Sequence, residues 1–254
     1  LVVERDGSLI IADWCDGQRP KRGRGRIYRI TYAGDAVRPR DEIVSRKSAD
    51  AERSLDDWLR LLDSESYSDR IDAQSAIERL GDAGITGLND AIGRFGARGR
   101  MHAVWILARG DLVAMTELIE RVTFDPDARV RVQATRAIAD MTDPMLKGRR
   151  LELPPRTPSI AKLIASDARE RDPRVRLEAI IGFRRLESMA APRWIDELLN
   201  GYESDVPLGH AAMQAVRASR NWPAVLKLLD EPDDKPMRAI TLRALADRAE
   251  SELV

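Results

Sequence analysis

The chain has 254 residues, with 42 basic and 42 acidic side chains and a formal net charge of zero, which argues against a general binder of nucleic acid or of anionic membranes. A single cysteine permits no intrachain disulfide and leaves the redox compartment open, and no run of about 18 uncharged apolar residues is available to span a bilayer. Charged residues make up 33% and aromatics 5%, the balance expected where alanine and leucine pack helices and charges solvate their outer faces.

The first 50 residues read as a short antiparallel β segment. Gly7 to Trp14 is a β-type run after an Asp-Gly turn, and Gly25 to Tyr32 alternates so that Tyr28, Ile30 and Tyr32 share one face. Two strands are predicted. An isolated strand pair is marginal in water, and the sequence starts at Leu1 close to a strand, so the expectation is the end of a longer protein cut within a β domain. Between the strands lie Arg19, Lys21, Arg22 and Arg24 without an intervening acid. They form either an anion-binding loop or a long solvated loop. Cys15 has neither a neighbouring histidine nor a second cysteine to make it a nucleophile or a metal ligand.

From residue 54 to 250 the pattern changes to helices in pairs. Six second helices carry an anchor at Ala73, Ala103, Ala134, Ala179, Ala212 and Thr241, at spacings of 30, 31, 45, 33 and 29 residues, the signature of stacked supersecondary units sharing a continuous core. Each anchor follows a first amphipathic segment: Leu55 to Asp63, Gly87 to Phe95, Val113 to Val122, Ile160 to Ala168, Arg193 to Leu199 and Trp222 to Leu229. Between the two sit Asp/Pro breakers, Asp125-Pro126-Asp127, Asp172-Pro173 and Pro232-Asp233-Asp234, where Asp can cap the next helix and Pro can enter its first turn. The long 45-residue spacing contains a Pro-rich basic stretch, which predicts an inserted loop around 146–158.

The strings Asp125-Pro126 to Ala134 and Asp172-Pro173 to Ala179 resemble the HEAT and HEAT-like repeats, whose second helix opens with Asp-Pro, Val-Arg and an alanine. The resemblance implies a mainly α fold, an α-solenoid of about six helix pairs. Asp6 to Trp14, followed by a Gly/Arg-rich loop and Gly25 to Ile30, resembles the last blade of a six-bladed β-propeller related to glucose/sorbosone dehydrogenases. The order propeller, HEAT-like repeats, c-type cytochrome is that of bacterial envelope proteins of the membrane-bound dehydrogenase domain type. That resemblance implies a periplasmic or envelope location and, for the parent protein, pyrroloquinoline quinone, calcium or haem c; none of these is assigned to a residue of this chain, which lacks a Cys-x-x-Cys-His motif.

Candidate chemistry is sparse. His102 and His210 occupy different places in the repeat and read as structural or surface residues. Gly93, Gly96 and Gly99 among arginines lie between helices with no preceding strand, so a flexible interhelical turn is expected instead of a phosphate cradle. The recurring feature is an arginine three positions before the anchor, at Arg70, Arg100, Arg131, Arg176 and Arg238, with Gly209 in the remaining copy. Either this row binds phosphates or an acidic partner, or it forms a structural ladder with Asp69, Asp127, Asp172 and Asp234. The functional expectation is a noncatalytic HEAT-repeat scaffold for a protein partner or another domain of the parent; the alternative is part of a quinoprotein-like sugar dehydrogenase.

Overall fold

The computed structural model describes residues 1–4, 7–13, 25–34, 53–110, 112–143, 170, 172–186, 191–201, 205–219, 221–230 and 236–246. These residues are mainly helical, with a short antiparallel sheet at the start.

The sheet has three strands where the sequence predicts two: β1 (Val2–Val3), β2 (Leu9–Asp13) and β3 (Arg26–Ile30). Glu4 and Gly7 close the turn between β1 and β2, with Gly7 N–H donating to Glu4 C=O and Glu4 N–H to Ser8 C=O. Gly7 takes φ 82°, a left-handed conformation open to glycine at no steric cost. The two-residue β1 pairs Val2 with Ile10 and Val3 with Leu9, too short a segment for alternation to reveal. β2 and β3 pair from Leu9 with Ile30 to Asp13 with Arg26. All five residues of β3 are exposed.

Helices then follow in sequence: α1 (Leu55–Leu61), α2 (Tyr67–Arg79), α3 (Asp82–Ala91), α4 (Ala97–Leu107), α5 (Leu112–Phe124), α6 (Ala128–Thr142), α7 (Pro173–Leu186), α8 (Ala191–Leu199), α9 (Val206–Ser219), α10 (Trp222–Lys227) and α11 (Pro236–Ala246). The predicted Ile160 to Ala168 segment and the inserted loop lie outside the described residues. α3 begins five residues ahead of the expected Gly87, because Gly81 at φ 56° turns the chain directly out of α2.

The six anchors lie on α2, α4, α6, α7, α9 and α11, and these helices touch one another in that order. Ala73, Ala103, Ala134, Ala179, Ala212 and Thr241 are all buried. Small residues there let helix backbones approach closely, while Ile77, Leu107, Ile138, Ile180, Phe183 and Val216 supply bulk. One apolar cluster runs continuously from Trp58 on α1 to Ala244 on α11.

Helix starts are fixed locally. Ser54 and Asp57 form a capping box on α1. Ser66 caps α2 by accepting from Asp69 N–H, so Asp69 lies within the first turn and is not the cap. Asp127 caps α6, and Pro173, directly after Asp172, opens α7.

Candidate interaction site

The arginine row sits at the turns that join first to second helices. Helix ends leave carbonyls without intrahelical partners, and a guanidinium carries five donors in a planar fork able to serve several of them at once. Arg70 Nη1 donates to Ser64 O at 2.7 Å and Glu65 O at 2.9 Å. Arg100 Nη1 donates to Phe95 O at 2.6 Å, Arg131 Nη1 to Asp125 O at 2.8 Å, and Arg238 Nη1 to Leu229 O.

Arg100, Arg131 and Arg176 also reach forward along the row. Arg100 forms a bidentate pair with Asp125 (Nε to Oδ2 2.8 Å, Nη2 to Oδ1 3.1 Å). Arg131 forms one with Glu170 (Nε to Oε2 2.6 Å, Nη2 to Oε1 2.9 Å). Arg176 Nε donates to Glu170 O, and its Nη1 reaches Leu198 O at 2.6 Å and Asn200 O at 2.9 Å at the C-terminal end of α8. Asp125 and Glu170 each hold one arginine by the carboxylate and the following one by the carbonyl. The result is an unbroken string, Arg100, Asp125, Arg131, Glu170, Arg176, in which Asp125, Glu170 and Arg176 are buried.

This pairing differs from the one expected. Asp127 and Asp172 hold arginines of their own first turns: Asp127 accepts from Arg129 N at 2.8 Å, Nε at 3.0 Å and Nη2 at 2.7 Å, and Asp172 repeats the set on Arg174 at 2.9, 3.0 and 2.7 Å. The hydrogen bond from Arg129 draws the Asp127 carboxyl down to about 2, and Arg174 lowers Asp172 in the same way. The acids that bind the row stand two residues upstream, where Asp125 Oδ1 accepts from Asp127 N at 3.0 Å and Glu170 Oε1 from Asp172 N at 2.8 Å. Matching the Asp-Pro dipeptides aligned Asp125 with Asp172, whereas the geometry aligns Asp125 with Glu170 and Asp127 with Asp172. Asp69 meets Ser64 Oγ at 3.4 Å, and Asp234 lies outside the described residues.

A second polar row crosses the second helices. Arg70 Nε donates to His102 Nε2 at 3.3 Å, so the proton of the neutral ring sits on Nδ1, which donates to Gln74 Oε1 at 2.8 Å. Gln74 Nε2 donates to Glu78 Oε1 at 2.8 Å, and Glu78 binds Arg109. Burial first, and then the positive charge of Arg70, hold the His102 pKa below its ordinary value. Trp105 Nε1 donates to Gln133 Oε1 at 3.1 Å, Arg136 binds Glu178, and Arg185 binds both Asp140 and Asp143. Gln74, Glu78, Trp105, Arg109, Asp140 and Met141 line a groove of about 820 Å³ across α2, α4 and α6. The signal for this groove in the sequence is the residues four and five positions past Arg70 and Arg100, Gln74 and Trp105.

The remaining candidates are placed as follows. His210 is exposed on α9. Gly96 and Gly99 are the N-cap and a first-turn residue of α4, and their N–H groups donate to Asp63 at 2.6 and 2.8 Å. A Cβ on Gly99 would lie 2.9 Å from Phe95 Cβ and 3.1 Å from Asp63 Cβ, so glycine is what allows the carboxylate in. The chain itself supplies the anion at this helix start. Arg29, on β3, donates from Nε to Ser8 Oγ at 3.1 Å. Cys15, Arg19, Lys21, Arg22 and Arg24 lie outside the described residues. Among the described residues no group of three or more His, Cys, Asp or Glu is arranged to hold a metal ion, and no helix is long and apolar enough to cross a membrane.

No protein-family model and no curated protein sequence matches the chain. Among solved structures, a crystal structure of an engineered protein is similar at 17% identity and a TM-score of 0.38, over 77% of this chain and 98% of that one.

Proposed function

We propose that residues 54–250 form a HEAT-like α-solenoid and that it is a noncatalytic scaffold, holding a protein partner or another domain of the parent chain. The observation that carries this reading is the repeated turn: Arg131 and Arg176 sit on equivalent positions of contacting helices, each bonded to its own turn and to the next. Such nearest-neighbour interfaces are how stacked repeats build a long surface from small units. The arginine row is a structural ladder, with its donors committed to the fold, and the surface left for a partner is the side of the second helices that carries Trp105 and Arg109.

Photo-crosslinking in the native host tests the scaffold, with a crosslinking residue at position 109 on that side and another at the exposed Leu226 of α10. A protein adduct formed at 109 and absent at 226 is expected; adducts at neither position would contradict the scaffold.

A second reading, in which this chain is part of a propeller-containing, quinoprotein-like envelope dehydrogenase, draws on the sheet. Ile27, Tyr28 and Ile30 are exposed on β3, as strands of a blade are when its neighbouring blades are not alongside. Among the described residues no group of three or more His, Cys, Asp or Glu is arranged to hold a metal ion, and calcium and pyrroloquinoline quinone are assigned no residue and no step here. On this reading the purified chain, given both and an artificial acceptor, turns over no sugar, because the cofactor site would need blades beyond these strands. Turnover above a cofactor-only control would place the chemistry in this chain.

A further inference from the structure

The groove across α2, α4 and α6 differs from the turn ladder in how its charges are seated. Glu78 is the deep member of its pair, its side chain 15% exposed, while Arg109 lies over it at 69%. On the opposite wall stands Asp140, held from behind by Arg185 and within reach of the Arg136 charge, so two carboxylates, Glu78 and Asp140, and one guanidinium, that of Arg109, line the groove. Between the walls stands Trp105, whose ring orientation is fixed by the hydrogen bond to Gln133. A held indole face beside the carboxylates of Glu78 and Asp140 favours a cation, and Met141 gives the lining an adaptable surface.

We propose that this groove binds an extended segment of a protein partner through an arginine side chain, which takes the place of Arg109 on Glu78 and lies against Trp105 toward Asp140. The proposal rests on the scaffold reading and names the chemistry of its partner. The exchange keeps Glu78 paired throughout, and Arg109 returns to water with little loss because its guanidinium is already mostly exposed. A carboxylate ligand has the opposite problem. It would have to draw Arg109 off Glu78 and leave a seated acid without its cation. Three neighbouring helices at about 8–10 Å axis spacing give a track about 20 Å long, matched by about six extended residues.

The test is calorimetric titration of the full chain with acetyl-(Gly-Arg)3-amide and with acetyl-(Gly-Glu)3-amide. Saturable binding of the arginine peptide and none of the glutamate peptide is expected. Glu78→Gln and Trp105→Ala should each weaken binding about tenfold or more, while Arg109→Ala binds at least as tightly as the parent. Circular dichroism confirms that each variant is folded, and Glu78→Gln, which keeps shape and volume, decides the matter if Trp105→Ala does not fold. Absence of arginine-peptide binding, binding of the glutamate peptide, or an unchanged affinity in folded Glu78→Gln overturns the proposal. An adduct at position 109 whose formation the arginine peptide, added before irradiation, does not suppress sinks this inference alone, whereas the absence of any adduct sinks the scaffold beneath it.

Discussion

The helical region and the N-terminal sheet are held by different means. From α1 to α11 every second helix carries a buried small anchor, and one apolar cluster runs through all of them. The strands are joined by backbone pairing, yet Ile27 is 77% and Ile30 53% exposed on β3. Hydrogen bonds exchanged with water add little net stability, while burial of apolar area adds much more. The helices therefore contain the sources of their own stability, and the three short strands contain few.

Four perturbations sharpen that contrast. The largest effect should come from Phe183→Ala: the ring is fully buried and lies 5.6 Å from that of Trp194, so chemical denaturation should register a loss of about 3–5 kcal/mol. Arg131→Ala comes next. It leaves Glu170 buried without its bidentate partner, and about 2 kcal/mol is expected, below the range for fully buried pairs because Arg131 keeps some exposure.

Smaller is the pH effect at His102. Its folded-state pKa is depressed by burial and by Arg70, so the unfolded chain takes up the proton first as pH falls. The stability linked to this residue is complete above its ordinary value of 6.5 and is lost as pH drops from there through the folded value. Denaturation midpoints for the parent should fall on acidification in that window, and His102→Gln should flatten the dependence. Asp127 and Asp172 act at lower pH, their contribution present above the ordinary carboxylate range and lost as pH falls through their lowered folded values, which for Asp127 is about 2. The smallest effect is expected from the sheet: removing residues 1–45 should leave the helical circular dichroism and a cooperative melt largely intact. Loss of most helical signal would mean that the strands cap the helices.

Much of the helical pattern is legible in the sequence, for a physical reason. The anchors at Ala73, Ala103 and Ala134 recur because each equivalent position meets the same close helix contact, and that requirement is written in residue size. β1 was missed because two residues carry no periodicity. The partners of the arginine row were missed because sequence separation hides them: Arg131 and Glu170 are 39 positions apart and meet only once their helices stack. The groove escaped for a similar reason, since Glu78, Trp105 and Asp140 belong to three helices and form no local motif.

The defining property of the ladder is that the arginine row ties one helix pair to the next. A double-mutant cycle of Arg131→Ala, Glu170→Ala and the pair, followed by chemical denaturation with partner or anion binding measured alongside, tests it directly. The ladder predicts a coupling energy of at least about 1 kcal/mol between the two sites. Effects additive within about 0.3 kcal/mol, or unchanged stability together with lost binding in Arg131→Ala, would contradict it and make the row a functional surface.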